Sequence, residues 1–383
     1  MSAPRQILLV LLDGLRLDAL DAHPAFDELK RRGLFCGNLV TYAPYTTASM
    51  HALLTGVYGT RNGVDSYFSA AKYRAGDCRT LAQYFQAAGY STAVDVNNRN
   101  TIPCQGYDRV EEYDEFHPDQ RYNLFERHRN LLASARRRGR PFLLSLHNLK
   151  THTELIQKFR ERYPEEKESL YYADPARNER EYRGYAREMG DYVAALLDDL
   201  DRARFFKDGL LVVFSDHGCS YGERPGERMY GTYLDDATLR TFACFVGAGF
   251  PSGGRRENLL RTVDIAPTLL ETCGIAAARD ALEPDGRSFL KEDPADRWGF
   301  AETAPLGGEF PSPYAPNYHG VASAKHKLLY HSGRDALEFF ERADLGWTPR
   351  PADSPQADEW LARLCACSPR VNRKWLAKVS RTP

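Results

Sequence analysis

The 383-residue chain carries 51 Lys+Arg against 52 Asp+Glu, and a net charge of -1 argues against a nucleic-acid partner. With 43% hydrophobic and 27% charged residues it has the composition of a globular protein. No stretch nears the ~18 consecutive apolar residues of a membrane helix, so no membrane partner is expected either.

In chain order, the first apolar run, Ile7–Leu12, ends in Asp13 and is too short for a signal-peptide core, which leads to the expectation of a cytoplasmic protein. The eight cysteines have no zinc-ribbon spacing and are expected to be reduced. Apolar runs at 7–12, 91–96, 141–146, 209–215 and 241–247 predict buried parallel strands. Helical patterns at 26–33, 81–89, 182–203 and 264–274 separate them, the last with Asp264 as N-cap and Gly274 as C-cap. Strands alternating with helices predict an α/β fold with a mostly parallel sheet. Beyond about 290 the texture changes. Residues 301–320 are rich in Pro and Gly and read as loops, 321–332 and 336–343 as a small antiparallel piece, and 357–366 as a terminal helix. Two units follow: a catalytic domain over 1–290 and a small α+β sub-domain over 291–383, packed on it.

Ligands of open α/β sheets bind outside the carboxyl ends of the strands, and three runs end there in metal-binding residue types. The first delivers Asp13, the fourth Asp216 and His217, and the third His147 and Asn148, with His152 soon after. Asp13, Asp216 and His217 together suit a divalent cation that accepts carboxylate and imidazole. Between these ends lies "TYAPYTTASMHALLTG" (41–56), where a turn passes into a helix. Thr46 or Thr47 there either caps the helix or, activated by a cation, attacks an anion held at the helix N-terminus. His51 reads as a helix-surface or core residue.

These residues resemble the alkaline phosphatase superfamily, its sulfatase-like branch in particular. Leu53-Leu54-Thr55-Gly56 is similar to the end of the sulfatase motif Cys-x-Pro-Ser-Arg-x-x-Leu-Leu-Thr-Gly. This register puts Thr46, not Thr47, at the nucleophile position, where the nucleotide pyrophosphatase/phosphodiesterase branch also has threonine. "LLDGLR" (11–16) resembles that branch's Asp-Gly-x-Arg, and "FSDHG" (214–218) the superfamily's Ser-Asp-His-Gly. "VDIAPTLLETCG" (263–274) and the hairpin "HKLLY…ALEFFERADLG" (326–346) are similar to later sulfatase segments.

The resemblance implies an alkaline phosphatase-like α/β fold with a C-terminal antiparallel sub-domain. It implies metal ligation by Asp13, Asp216, His217 and Thr46, with zinc first and manganese, calcium or magnesium as alternatives, in one or two ions. A second ion would draw on Asn148, His152 and His319, with substrate contact by His152 as the rival role. Ser49 and Asn97 are candidate substrate contacts. Departures from the sulfatase pattern matter as much. Threonine cannot become the formylglycine of sulfatases, and three family cations appear here as Met50, Asn97 and Tyr230. The expected function is therefore hydrolysis of a small-molecule phosphate mono- or diester through a phosphothreonine on Thr46. Phosphotransfer, phosphonate or sulfate-ester cleavage, and a non-catalytic binding role are the alternatives.

Overall fold

Strand β1 (Gln6–Leu12) shows why its sequence is an unbroken apolar run. Ile7, Leu9 and Leu11 enter one hydrophobic core and Leu8, Val10 and Leu12 another, on the opposite face of the sheet. Successive strand side chains alternate in direction, so a strand covered on both faces must be apolar throughout. The computed structural model describes residues 3–117, 124–164, 167–278, 280–290, 297–343 and 346–379.

The main sheet also contains β2 (Leu34–Val40), β3 (Ser91–Val96), β4 (Arg109–Glu112), β5 (Phe142–Asn148), β6 (Gly209–Phe214), β7 (Arg240–Gly247), β8 (Gly254–Arg256) and β9 (Leu260–Arg261). Their order is β4-β3-β5-β1-β6-β7-β2-β8, with β9 pairing to β2. From β4 to β6 all neighbours are parallel. The 241–247 run, expected to be parallel, is instead antiparallel to both β6 and β2. Only a four-residue helix, Asp236–Leu239, lies between β6 and β7. With no crossover helix to carry the chain back, β7 starts at the edge where β6 ends.

Helices cover both faces. Thr46–Thr55, Leu81–Ala87 and Ile265–Thr272 bury Met50, Leu53, Phe85 and Leu269 on one side. Pro24–Arg32, Leu124–Arg137 and Pro175–Arg202 bury Phe26, Leu132, Met189 and Val193 on the other. Asp264 is the N-cap residue, as expected, but its side chain makes no capping bond. Its carboxylate accepts the backbone N–H groups of Arg261 and Arg287 instead, while Gly274 stands one residue past the C-cap with φ +66°. Among the described residues no helix is long and apolar enough to cross a membrane.

A second sheet of β10 (Trp298–Thr303), β11 (Tyr318–Ser323), β12 (His326–His331), β13 (Ala336–Ala343) and β14 (Gly346–Arg350) is antiparallel throughout. Phe300, Val321 and Leu328 of this sheet pack with Trp360 and Leu364 of the Pro355–Cys367 helix and with Tyr42, Tyr45 and Ala48. This third core fixes the start of the Thr46–Thr55 helix from the outside. A further helix, Pro369–Val379, follows Pro355–Cys367 and was not expected from the sequence. The proposed boundary at 290/291 and residues Asp344 and Leu345 of the expected hairpin border or lie outside the described residues, as does the end (118–123) of the polar segment that begins at Asn97.

His51 is a core residue. Its Nδ1 donates to the Thr47 carbonyl at 2.7 Å, its ring meets Tyr73 edge-on at 5.4 Å, and burial pushes its pKa down to about 4. In the unfolded chain it titrates near 6.5, so between pH 6.5 and 4 the unfolded state binds more protons and stability is lost as the pH drops. The full window is worth roughly 3 kcal/mol. Urea unfolding of His51→Gln is expected to lose that part of the acid sensitivity, whatever its stability at pH 7.

Candidate active site

The carboxyl ends of β1, β5 and β6 lie side by side, and the chain turns sharply after each. Asp13 follows β1, and Gly14 behind it has φ +64°, a left-handed conformation that glycine adopts without strain. The bend lets the Gly14 N–H donate to Asp216 Oδ1 at 3.1 Å, which locks the two strand ends together. At Gly218 a side chain is excluded, since a Cβ would stand 2.0 Å from the Ala237 carbonyl oxygen. Arg16 braces the same loops, donating to the Cys219 carbonyl at 2.8 Å and to Glu223 at 2.6 Å.

Asp13, Asp216 and His217 are fully buried, and one ligand atom from each lies within 4.8 Å of the others. Asp13 Oδ1 and Asp216 Oδ2 have no aligned hydrogen-bond donor. His217 Nδ1 donates to the Gly218 carbonyl at 2.7 Å, which leaves the Nε2 lone pair facing the carboxylates, 3.5 Å from Asp216 and 3.8 Å from Asp13. Burial and the neighbouring Asp13 charge push the Asp216 carboxyl above its ordinary range. Burial also works against the Asp13 carboxylate, but His152 and His147 outweigh it and hold that group well below the usual range. Two desolvated carboxylates with orphaned oxygens and an inward imidazole nitrogen form a donor set that fits a divalent cation.

Thr46 completes the arrangement. It is the first residue of its helix, after an N-cap, Tyr45, that makes no side-chain capping bond. Its hydroxyl donates to Asp13 Oδ2 at 3.1 Å and lies 3.3 Å from His217 Nε2. The N–H groups of the first helical turn, which a helix cannot satisfy internally, sit at the same end. Thr47 instead supplies the carbonyl that holds His51.

The structure redistributes the remaining expected residues. Asn148 does not join the cluster: its Oδ1 accepts the Lys150 N–H at 3.0 Å, at the start of the Lys150–Arg162 helix. The preceding His147, not chosen as a ligand from the sequence, reaches Asp13 Oδ2 at 2.8 Å. Consecutive strand residues point to opposite faces, so only one of this pair can face Asp13. His152 Nδ1 lies 3.3 Å from Asp13 Oδ1 and 3.3 Å from the Tyr230 hydroxyl. His319 is not drawn in: it lies in β11, where Glu302 of β10 holds its Nδ1 at 2.5 Å. The Asn148–His152–His319 set therefore does not assemble. Ser49 turns back to donate to the Thr46 carbonyl at 3.2 Å, and Asn97 donates to Glu115 at 2.9 Å. Tyr230, noted only as a replaced cation, packs its ring 4.8 Å from that of His217.

His147 fixes the orientation of Asp13 by the bond to Oδ2, leaving Oδ1 for a cation. His147→Leu is expected to weaken metal binding by roughly 10- to 100-fold, the usual cost of losing a partner that orients a ligand. Competition with a chromogenic chelator measures it.

The sulfatase family profile matches residues 5–275, most of the chain and every element around the cluster. This chain belongs to the sulfatase family. A sulfatase of Formosa agariphila is 26% identical over 200 residues, covering 50% of this chain and 36% of its own length, so the match spans about a third of that relative. Among solved structures, a phosphonate monoester hydrolase from Silicibacter pomeroyi superposes with TM-score 0.71 at 17% identity, covering 100% of this chain and 96% of the other. A protein of the alkaline phosphatase superfamily from Vibrio parahaemolyticus gives TM-score 0.67 at 15% identity, with 98% and 88% covered. The sulfatase family fold, with its mixed main sheet and separate antiparallel sheet, is thus the alkaline phosphatase-like one.

Proposed function

We propose that the chain is a metal-dependent hydrolase of phosphate esters, mono- or diester, that transfers the phosphoryl group to Thr46. The observation that carries this reading is the Thr46 hydroxyl, 3.1 Å from Asp13 and 3.3 Å from His217 at a helix N-terminus. A divalent cation held by Asp13, Asp216 and His217, zinc before manganese, calcium or magnesium, would supply Lewis-acid activation and lower the pKa of the Thr46 hydroxyl.

Thr46 Oγ1, its proton lost to water, attacks phosphorus in line with the leaving oxygen, and a phosphothreonine forms as the ester bond breaks. The first-turn N–H groups and the helix dipole hold the equatorial oxygens. His152 stands between Asp13 and Tyr230. It gives the leaving oxygen its proton, and water then releases phosphate from Thr46.

Sulfate-ester cleavage is the second reading, favoured by the match to the sulfatase family. One feature supports phosphate over sulfate: threonine cannot supply the aldehyde hydrate of formylglycine. The deciding experiment is a panel of aryl phosphate monoesters, diesters, phosphonates and sulfates, run with the wild type and Thr46→Ala. Turnover of phosphate esters that disappears in Thr46→Ala is expected. Turnover of sulfates alone would overturn the phosphate reading in favour of the second. With metal bound, no turnover of any ester would favour a binding protein that kept the fold.

A further inference from the structure

Two depressions of about 120 and 280 Å³ open where the main sheet meets the second one, and Asp236, Arg240 and Arg342 line both. Asp13, Thr46, Asp216 and His217 line neither, so this place is separate from the cluster at the strand ends. The smaller depression also takes in Lys327, so that among the described residues three cations face a single carboxylate there. That carboxylate is fully engaged. Trp347 Nε1 donates to Asp236 Oδ1 at 3.0 Å and Arg342 to Oδ2 at 2.9 Å, while Lys327 Nζ lies 3.5 Å from Oδ1. Lys327 is 5% exposed, and its ammonium also donates to the Leu234 carbonyl at 2.6 Å. Arg240 stands 3.9 Å from Asp236, too far for a hydrogen bond, and gives a donor to Asn38 Oδ1 at 2.7 Å. Burial holds the Arg240 guanidinium below its ordinary value, and the Arg342 charge adds to this against the pull of Asp236. Charge withdrawn from water is costly unless it is paired, and one carboxylate leaves two of these cations uncompensated.

We propose that this place is a second anion site, which takes a tetrahedral oxyanion of the phosphate or sulfate kind between Arg240, Lys327 and Arg342. The two uncompensated positive charges match a dianion, whereas a single carboxylate would leave one of them over. Guanidinium groups present paired N–H donors to two oxygens of such an ion, and the ammonium adds a point charge beside them. The Arg342 guanidinium is held in place for this, lying 4.9 Å over the Trp347 ring as well as against Asp236. The inference is independent of which ester, if any, the Asp13–Asp216–His217 cluster cleaves.

The test is calorimetric titration of the wild type in EDTA with sulfate and with inorganic phosphate. Ionic strength is held constant, so that general screening does not pass for binding. A binding step is expected without metal, because no residue of the Asp13–Asp216–His217 cluster lines the depressions. Arg240→Gln and Arg342→Gln are each expected to weaken that step by roughly tenfold or more, the scale of a lost hydrogen bond to a charged group. The two side chains are 30% and 36% exposed, and far-UV circular dichroism checks that both variants fold. No step in EDTA, or a step that survives either substitution undiminished, overturns the proposal. Glycerol phosphate distinguishes the source of the anion. Tighter binding than inorganic phosphate assigns the site to the head of a phosphorylated small molecule, and equal or weaker binding to the free ion.

Discussion

Thr46→Ala is expected to lower turnover by about a thousandfold or more, the scale seen when a nucleophile is removed from a site whose other parts persist. Thr47→Ala, one residue away, is expected to keep most of the activity. The structural reason is the direction of each residue. The Thr46 hydroxyl is aimed at Asp13 and His217, whereas Thr47 contributes a backbone carbonyl to His51. Thr46→Ala leaves Asp13, Asp216 and His217 in place and should still take up metal, so the loss can be separated from loss of the cation. Acid quenching of the wild type during turnover, followed by peptide mass spectrometry, should find phosphate on the peptide at Thr46. A fully active Thr46→Ala would refute the nucleophile assignment, and the reverse pattern at Thr47 would mean that the register is wrong by one residue.

Asp216→Asn is expected to abolish metal binding and turnover together, and to change stability in a direction that depends on the metal. Without a cation, Asp13 and Asp216 are two buried carboxylates in contact distance of one imidazole. Burial and the charge on Asp13 hold the Asp216 carboxyl above its ordinary range, a sign of strain between them. Asparagine keeps the oxygen that accepts the Gly14 N–H and removes the like charge. In chelator the variant should therefore melt no lower than the wild type. Added cation should stabilise the wild type by about 2.7 kcal/mol at a hundredfold excess over Kd and leave Asp216→Asn unmoved. Elemental analysis should give about one equivalent in the wild type and below ~0.2 in the variant, given a three-ligand site that loses one ligand. Less than that in the wild type, with no shift in melting on adding Zn, Mn, Ca or Mg, would remove the metal from the function.

The pair at 147–148 shows where local patterns stop. The sequence "SLHNLK" places two polar residues at the end of β5, and nothing in their order says which one faces Asp13. That depends on the register of β5 against β1, where Leu11 pairs with His147 and Leu12 with Asn148. A shift of one residue would have exchanged them. The i, i+4 spacing of Asn148 and His152 looked like a ligand pair, but Asn148 belongs to the strand and His152 to the helix that follows. The direction of β7 escaped for a similar reason: a buried strand is equally apolar whether it runs parallel or antiparallel.

What the sequence determined by itself was the α/β class, the two strand ends that carry Asp13, Asp216 and His217, and the helix that begins at Thr46. Those features are local. A strand covered on both faces must be an apolar run, and a polar residue ends it, so composition along the chain marks the edge of the sheet. Tertiary structure alone decided which of the neighbouring polar groups converge. His147 and His152 meet Asp13, while Asn148, Ser49, Asn97 and His319 are bound elsewhere. It also decided that Tyr314, distant in the chain, joins Tyr67 and Phe68 in one row of rings. Convergence depends on register and on how the second sheet packs, and both are set by contacts between residues distant in sequence, which no local pattern encodes.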